Sequence, residues 1–529
     1  MRHRKTALGA VVIFLAFVSG GWFLQRSPEP EQDARAKARI FRQVMSYVSD
    51  YYVDTLETGD LYDMAIEGLL DRINDPYTSY LHKEAFEDLN LSTTGNYGGV
   101  GIQIDSRDGW ITVVTPLANT PGERAGLESG DQIIEIDGKS TEGWTTRQAA
   151  NVMRGVAGTE VHLSVMRPGL PGPIPFNITR ARIHVNYVET PMMLAPSVGY
   201  VRITSVSQTA GKELEQAIKQ LHNDGARSLI LDLRGNPGGI LEQGVAIADL
   251  FIDRGDVVVE MKGRAPRASQ IYLSQHEQSW PDMPMVVLVN QGTASAAEII
   301  AGALQDHDRA LILGTRTYGK GVAYVVLPLS TTKREALSVT TSRWYTPRGR
   351  SINRPLFRKL TQRQAKALRD SAIADSGVTF LSDAGRTLKG GGGIRPDIEL
   401  LDTLSTSEQA FARALGTNTQ KYRDAVSRFA LDLKGSQKIA EEDFTVTPTM
   451  LRELRLSLRG RGVPVPDSIW AGASRLIARQ LGVETTRYVF GRPAERRRQA
   501  RSDIQIKRAI DLLTHAKTQS EVFAKLNDQ

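Results

Sequence analysis

Asn290-Gln291-Gly292-Thr293-Ala294-Ser295-Ala296-Ala297-Glu298 follows the apolar run 285–289 and leads into further apolar residues at helical spacing. This pattern predicts a buried strand that turns into a helix, with Ser295 at the junction. The small neighbours of Ser295 allow another backbone to approach it, and the N–H groups at a helix start favour an oxyanion. The stretch therefore predicts a nucleophilic serine, although a serine that only caps the helix fits the same pattern.

A lysine in a glycine-rich turn follows the next apolar strand, in Thr317-Tyr318-Gly319-Lys320-Gly321. A lysine held between glycines and apolar strands is expected to lose water, and desolvation lowers the pKa of a lysine side chain towards that of a useful base. Because a serine needs a base to become a nucleophile, Ser295 and Lys320 together indicate a Ser-Lys hydrolase. A solvated lysine in a surface turn is the alternative.

The spacing from Gly314 to Lys320 nearly matches a phosphate-binding loop. That loop requires Ser or Thr after the lysine and then a helix, whereas here Gly321 and the apolar strand 322–327 follow. We therefore reject nucleotide binding.

Strands alternate with helices from about residue 185 onward. Strands are predicted at 199–203, 229–233, 285–289 and 311–313, with helices between them, which indicates an α/β layer with a mostly parallel sheet. Ligands bind beyond the carboxyl ends of such strands. Ser295, Lys320 and the turn Asn236-Pro237-Gly238-Gly239 all follow strand ends, so we expect them to line one crevice. The turn can present an N–H group there, as can Ala296.

A compact β-rich block precedes this layer. Strands are predicted at 102–104, 110–114 and 131–137, a helix at 146–153, and a closing strand at 160–166. The turn Tyr97-Gly98-Gly99-Val100-Gly101 can expose successive N–H groups to a terminal carboxylate, and the strand from Gly101 through Ile102 offers an edge for peptide addition. A glycine turn that only stabilises the fold is the alternative.

The amino terminus predicts export. Arg2, His3, Arg4 and Lys5 precede an uncharged apolar run at 7–24, which is long enough to cross a bilayer. We expect a membrane anchor with the rest of the chain outside the cytoplasm, while a cleaved signal peptide remains the alternative. A linker at 27–33 and helices at 34–89 follow, broken at Asp75-Pro76.

Composition excludes several classes of function. The 529 residues carry a net charge of +7, too small an excess in so long a chain to indicate nucleic-acid binding. The absence of cysteine excludes disulfides and thiol nucleophiles. No cluster of His, Asp and Glu has the spacing of a metal site, so we expect no metal and no cofactor. A Ser-His-Asp triad has little support, since no Gly-x-Ser-x-Gly elbow surrounds Ser295.

Seven motifs in this order resemble the carboxy-terminal processing peptidases, also called tail-specific proteases. The resemblance covers about residues 34–400 and includes the β-rich block, which is similar to a PDZ domain. The other motifs are the Ser295 stretch, Gly319-Lys320-Gly321, Asp75-Pro76-Tyr77-Thr78-Ser79-Tyr80-Leu81, Leu233-Arg234-Gly235-Asn236-Pro237-Gly238-Gly239, Trp344-Tyr345-Thr346-Pro347-Arg348-Gly349-Arg350-Ser351-Ile352 and Gly393-Ile394-Arg395-Pro396-Asp397.

The resemblance implies a role for each residue of the crevice. Ser295 would be the nucleophile and Lys320 its base, with oxyanion-hole amides from Gly238 and Ala296. The family usually has a glutamine four residues after the lysine, where this chain has Tyr324. Tyrosine can donate a hydrogen bond but lacks the amide carbonyl, so Tyr324 is either a third member of the site or a structural aromatic.

The PDZ-like block would capture unstructured, apolar carboxyl termini and gate the protease. By the resemblance its peptide-binding residues would be Gly98, Gly99, Val100, Gly101 and Ile102. Arg154 would take part in the gating, or be a plain surface arginine.

The predicted architecture is mixed α/β and multidomain, with a crotonase-like α/β protease core and an inserted PDZ-like domain. The predicted ranges are an anchor at 1–26, helices at 34–90, the PDZ-like block at 91–180, the α/β core at 181–405 and a helical extension at 406–529. The insertion at 355–389 and the extension depart from the family, and the two segments suggest oligomerisation or adaptor docking.

The leading hypothesis is an exported, membrane-tethered serine endopeptidase that acts on polypeptides with free apolar carboxyl termini. The rival is a catalytically silent adaptor that binds peptides through the PDZ-like block, a hypothesis that Tyr324 keeps open. An acyl-CoA enzyme on a similar α/β layer finds no support in an exported chain of this kind.

Overall fold

The computed structural model describes residues 29–330, 334–354, 366 and 378–526 of the chain. The predicted anchor at 1–26 lies outside these residues, as does most of the insertion at 355–389. Within the described part of the chain, no helix is both long and apolar enough to cross a bilayer. The chain forms two compact units, and the boundary between them falls after Tyr80.

The first unit is helical, with α1 (Glu29–Tyr51) and α2 (Thr58–Ile73) ahead of the short strand β1 (Ser79–Leu81). Helix α1 begins inside the stretch predicted as a linker, because Pro30 is tolerated in the first turn of a helix. Helix α2 ends at Asn74 in the left-handed conformation, with φ of 59°. This end confirms the predicted break at Asp75-Pro76.

The second unit opens with helix α3 (Lys83–Thr94) and the PDZ-like block. The elements of the block are β2 (Asn96–Gly99), β3 (Ile102–Arg107), β4 (Trp110–Pro116), α4 (Pro121–Arg124), β5 (Gln132–Ile136), β6 (Lys139–Ser140), α5 (Thr146–Met153), β7 (Glu160–Met166), β8 (Ile174–Thr179) and β9 (Ala181–His184). Strands β3, β4, β5, β7 and β8 form one antiparallel sheet in that order. Alternate side chains of this sheet, such as Ile111, Val113 and Ile133, fill the core of the block.

The prediction that the strand at 160–166 is the last one of this block was wrong, whereas the predicted range 91–180 does include the strand that follows it. Strand β8 continues the sheet beyond the Pro/Gly-rich stretch and pairs with β7 from Glu160↔Thr179 to Val165↔Ile174. The glycines and prolines after β7 therefore form a hairpin loop, which the sequence alone did not distinguish from a domain boundary.

The α/β core contains strands, helices and one short 3-10 turn. They are β10 (Met192–Ala195), β11 (Val198–Arg202), α6 (Ala210–Asn223), β12 (Ser228–Asp232), α7 (Leu241–Asp249), β13 (Val257–Gly263), the 3-10 turn Pro266–Ala268, β14 (Gln270–Leu273), β15 (Met285–Val289), α8 (Ala296–Asp306), β16 (Leu311–Gly314), β17 (Val322–Ser330), β18 (Glu335–Tyr345), β19 (Thr379–Leu381), β20 (Thr387–Lys389) and β21 (Ile398–Glu399).

The main sheet has the order β10-β11-β12-β15-β16-β21. All neighbours from β11 to β21 are parallel, and β10 is an antiparallel edge strand. This arrangement confirms the predicted mostly parallel sheet. Strands β13, β14, β17 and β18 belong to a second, antiparallel sheet, in which β18 lies between β13 and β17.

Both faces of the main sheet are buried. In β15, Met285 and Val287 belong to the core formed with helices α6–α8, whereas Val286 and Leu288 point to the opposite face. A parallel sheet covered on both sides requires such continuous apolar strands. Polar chemistry is therefore expected at the ends of the strands and not on the faces of the sheet.

Helices make up the region after the core. They are α9 (Thr406–Leu415), the 3-10 turn Gly416–Asn418, α10 (Thr419–Gly435), α11 (Pro448–Gly460), α12 (Asp467–Gly472), α13 (Ser474–Phe490), α14 (Arg492–Ser502), α15 (Ile504–Leu513) and α16 (Gln519–Ala524). Helices α14–α16 cover the second face of the main sheet, where Ile506, Leu512 and Val522 are buried. Helices α14–α16 therefore complete the hydrophobic core on the second face of the main sheet.

The same helices contact the PDZ-like block. Arg461 pairs with Asp108, Lys434 Nζ lies 3.2 Å from Glu128 Oε2, and Arg492 Nη2 lies 3.1 Å from Gln103 Oε1. One helical region thus joins the PDZ-like block to the sheet.

Candidate active site

A groove of about 860 Å³ lies at the carboxyl end of the main sheet. It is lined by residues that follow three neighbouring parallel strands, β12, β15 and β16. The residues predicted for the crevice all line it: Gly238, Gly239, Ser295, Ala296, Lys320 and Tyr324. The structure therefore brings the predicted catalytic residues together.

Ser295 immediately precedes helix α8 and has a strained backbone. Its φ of 55° and ψ of −121° lie outside the regions that residues with a side chain favour. Such a conformation typically costs about 1–3 kcal/mol and occurs mainly at functional sites. The sharp strand-to-helix turn presents the serine beside the first amides of α8, and no residue pattern around Ser295 predicted this strain.

The lysine turn, residues 317–321, is held by backbone contacts on several sides. The N–H of Arg354 donates to the Gly319 carbonyl at 2.8 Å, and Trp344 Nε1 donates to the Lys320 carbonyl at 3.1 Å. A Cβ on Gly321 would lie 2.8 Å from Asn353 Cβ, so the close approach requires glycine. Lys320 is consequently fixed by its backbone at the groove and is half-buried.

Glu298 connects the serine to the lysine turn, and sequence reasoning missed it. Its Oε2 accepts from the N–H of Ser295 at 2.8 Å and of Lys320 at 2.9 Å. Its Oε1 accepts from the N–H of Gly319 at 2.7 Å and from Thr317 Oγ1 at 2.5 Å. One fully buried carboxylate therefore links the Ser295 segment to the lysine turn.

The environment of Glu298 has opposing effects on its ionisation. Burial raises the pKa of the carboxyl above its ordinary value, while the four hydrogen bonds oppose the rise. Glu298 lies three residues after Ser295, which is the capping-box position at the start of a helix, and this position is the signal by which the sequence could have identified it. That position explains the contact with Ser295, but not the contacts with the lysine turn.

Gly238 packs directly against the serine. A Cβ at this position would lie 2.7 Å from Ser295 Cβ and 2.8 Å from the Ala296 nitrogen, and the residue has φ of 92°. The close approach to Ser295 and Ala296 and the positive φ both require glycine. Its own N–H donates to Asn236 Oδ1 at 2.9 Å, so a substrate oxygen bound by Gly238 would share or replace that contact.

Tyr324 lies beside the lysine. Lys320 Nζ is 4.6 Å from the centre of the Tyr324 ring, within the range of a cation–π interaction. Burial raises the pKa of the Tyr324 hydroxyl above its ordinary value of 10.0. The residue at the usual glutamine position therefore contacts Lys320 through an aromatic face.

The residues around the groove bear on the alternative of a histidine base. Among the described residues that line it, none is histidine. His307 lies instead between Asp383 and the Val257 carbonyl, and His276 pairs with Asp249 at 2.6 Å. In the part of the chain that the structure covers, no three His, Asp or Glu side chains are grouped to hold a metal.

The predicted peptide-binding residues lie at the edge of the PDZ-like block. Gly98 and Gly99 belong to strand β2 and pair with Arg182 and Ala181 of β9, so these two glycines form part of a ladder instead of a free turn. Val100 and Gly101 form the loop itself, and Ile102 begins β3, the terminal strand of its sheet. The predicted peptide-binding residues therefore lie along β2, the loop after it and the start of β3.

Arg154 links the PDZ-like block to helix α3. Its Nη1 lies 3.7 Å from Asp88 Oδ1, and its guanidinium lies 5.5 Å from the centre of the Tyr97 ring. Helix α3 also supplies Phe86, Leu89 and other residues to the groove wall. Arg154 therefore contacts an element that reaches the catalytic groove.

Comparison with protein families finds three matches along the chain. The profile of peptidase family S41 matches residues 197–359, that of the PDZ domain residues 88–166, and that of the activating protease CtpB N-terminal domain residues 23–85. The carboxy-terminal-processing protease of Bartonella bacilliformis is 36% identical over 326 residues, which are 61% of this chain and 74% of the relative. The carboxy-terminal processing protease CtpA of Bacillus subtilis is 35% identical, over 64% of this chain and 72% of the relative.

Comparison with solved structures finds further similar proteins. The photosystem II D1 C-terminal processing protease is 28% identical, with a TM-score of 0.37 over 72% of this chain and 92% of the other. A putative S41 protease from Bacteroides fragilis is 15% identical, with a TM-score of 0.41 over 75% of this chain and 98% of the other.

Proposed function

Because this chain belongs to the carboxy-terminal-processing proteases of peptidase family S41, we propose that Ser295 is its nucleophile and Lys320 its general base. The chain is a serine-type endopeptidase with a PDZ domain. One observation carries the assignment of the pair: Ser295 and Lys320 line one groove, and their backbone N–H groups share one oxygen of Glu298.

The proposed reaction passes through an acyl-enzyme. The neutral amine of Lys320 takes the proton from Ser295 Oγ as that oxygen attacks the substrate carbonyl carbon. The negative oxygen that forms accepts hydrogen bonds from the Ala296 and Gly238 amides. The C–N bond then breaks, and the Lys320 ammonium gives its proton to the leaving amine. Water attacks the ester and passes a proton to Lys320. The bond between the acyl carbon and Ser295 Oγ then breaks, Lys320 returns the proton to Oγ, and the new carboxyl terminus is released.

The substrate we propose is an unfolded polypeptide with a free, apolar carboxyl terminus. The PDZ domain supports the capture of that terminus, with the β3 edge available for an added strand. The groove wall includes apolar side chains such as Met261, Ile299 and Trp344, which suit an apolar segment. An amidated carboxyl terminus should raise KM about tenfold or more, because it removes the charge that the loop would bind.

Three variants of the full chain test the catalytic pair. We expect Ser295→Ala and Lys320→Ala to abolish cleavage of an unfolded protein with an apolar carboxyl terminus. Ser342→Ala should retain cleavage, because Ser342 lines the same groove but bonds to the Ala268 carbonyl. Binding without cleavage by the parent chain would instead favour a catalytically silent adaptor, and cleavage by Ser295→Ala would exclude this nucleophile.

Export and tethering are a further proposal, which rests on the apolar run at 7–24 behind Arg2, His3, Arg4 and Lys5. Extraction of membranes at alkaline pH tests it. A tethered chain should stay in the membrane fraction, and a chain with a cleaved signal peptide should be released.

An exposed apolar face on the first unit supports the proposal that a second copy of this chain is a partner. On α1, Ile40, Val44 and Tyr47 lie on one side of the helix, and each is about half exposed. We expect light scattering to give an oligomer for the parent chain and a lower mass for Ile40→Glu. An unchanged mass would contradict self-association through this face and would favour another partner there, such as an adaptor protein.

A further inference from the structure

The side chain of Arg234 is held between two carboxylates from distant parts of the chain. Its Nη2 lies 2.7 Å from Asp232 Oδ2, at the end of β12. Its Nη1 donates to Asp503 Oδ2 at 2.8 Å and to Gln505 Oε1 at 2.9 Å, at the start of α15. Burial alone would lower the pKa of Arg234, but the two carboxylates outweigh burial and raise it. The guanidinium is therefore charged and fully engaged.

Arg234 is the first residue of the turn at 234–239, here called the glycine turn, which ends beside the nucleophile. Gly238 of this turn packs against Ser295, and the Ala294 N–H donates to the Asn236 carbonyl at 2.9 Å. A shift of the turn at its start would therefore be transmitted to the Ser295 segment. The turn has only six residues, so its two ends cannot move independently.

The residues that hold Arg234 are themselves rigid. Asp503 Oδ1 caps α15 by accepting from the N–H groups of Gln505 at 2.9 Å and Ile506 at 3.0 Å, which leaves Oδ2 for Arg234. Gln505 Nε2 donates to the Leu400 carbonyl at 2.5 Å. Behind them, Ile506 is buried against the main sheet. The start of α15 is thus a fixed support for the guanidinium.

We propose that Asp503 and Gln505 are positioning residues of the protease, which act through Arg234 to hold the glycine turn in its catalytic geometry. This inference rests on the proposed function of Ser295 and of the Gly238 amide. Without Asp503 Oδ2, one end of a largely buried guanidinium loses its ionic partner and must seek another acceptor. The helical region beyond residue 406 thereby contributes to catalysis without contacting the substrate.

The substitution Asp503→Asn tests the proposal in the full chain. Asparagine keeps an Oδ1 that can cap α15 but replaces the oxygen that Arg234 contacts with an NH₂ group. We expect kcat to fall by about tenfold to a hundredfold with KM nearly unchanged, because the oxyanion hole acts in the transition state. The affinity for a peptide boronate, whose tetrahedral oxygen occupies that hole, should fall in parallel.

Glu189→Gln is the matched control. The Glu189 carboxylate pairs with Arg496 of the same helical region at 2.8 Å, in place of a pairing with Arg234. It should lower stability to a similar degree and leave kcat and boronate affinity unchanged. In addition, Arg234→Gln combined with Asp503→Asn should be no worse in kcat than Arg234→Gln alone, since the two act through one contact.

The outcomes separate this proposal from the proposed function. If cleavage depends on Ser295 but Asp503→Asn behaves like Glu189→Gln, the positioning role is overturned while the catalytic pair stands. If Ser295→Ala still cleaves, the catalytic assignment fails first, whatever Asp503→Asn does. A loss of kcat in Asp503→Asn without the parallel loss of boronate affinity would also contradict the proposal.

Discussion

The side-chain nitrogen of Lys320 lies 4.6 Å from the centre of the Tyr324 ring. An aromatic face attracts a cation and restricts where the lysine side chain can lie. We therefore expect Tyr324, at the position of the family's usual glutamine, to position the proposed base Lys320 through its ring and not through an amide.

Tyr324 is expected to act through its ring and not through its hydroxyl. Tyr324→Phe should keep kcat/KM within about twofold, whereas Tyr324→Ala should lower it about threefold to thirtyfold, the equivalent of a lost cation–π contact. Because burial raises the pKa of Tyr324, its hydroxyl stays protonated through neutral pH, and the pH–rate profile of Tyr324→Phe should follow that of the parent up to about pH 10. A large loss in Tyr324→Phe alone would show that the hydroxyl matters.

Glu298→Gln should both destabilise the protein and impair catalysis. Each carboxylate oxygen accepts two donors, so an amide in either orientation leaves two donors facing an NH₂ group. We expect unfolding to become easier by about 2–5 kcal/mol, measured by chemical denaturation. Ser427→Ala, which removes buried side-chain contacts in the C-terminal helices, offers a control for stability loss without loss of activity.

The ionisation of Glu298 should make stability depend on pH. Its pKa is raised in the folded state above the ordinary value of 4.5, so the folded protein binds this proton more tightly than the unfolded chain does. The free energy of unfolding should therefore fall as pH rises from about 4.5 to the folded pKa, and then level off. Subtracting the pH dependence of Glu298→Gln from that of the parent isolates this effect, and a difference that rises with pH would contradict it.

Gly238→Ala should lower kcat/KM by about a hundredfold or more, because its Cβ would displace the Ser295 segment. Gly255→Ala is the matched control, since Gly255 has φ of 93° but open space around its Cβ position. Both variants carry the backbone strain, so their difference in kcat/KM measures the contact with Ser295. Equal losses in the two variants would assign the effect to strain alone.

The crevice could be predicted from the sequence because the residues that line it follow strands that recur regularly along the chain. Parallel strands place their carboxyl ends at one edge, so Gly238, Ser295 and Lys320 had to converge once the strands were recognised. Glu298 escaped prediction because a capping position explains only its local contact. Arg234 and Asp503 are 269 residues apart, and no local pattern relates them. Strand β8 was missed because its Pro/Gly-rich hairpin loop resembles a linker.

The helices that cover the second face of the main sheet also affect the timing of assembly. Ala500, Ile506 and Val522 are made long after the strands that they bury. Until they emerge from the ribosome, one apolar face of the sheet stays open and Arg234 lacks Asp503. With Asp503 acting as proposed, a nascent chain would hold Ser295 and Lys320 before it could cleave efficiently, and proteolysis would be delayed until Asp503 has been made.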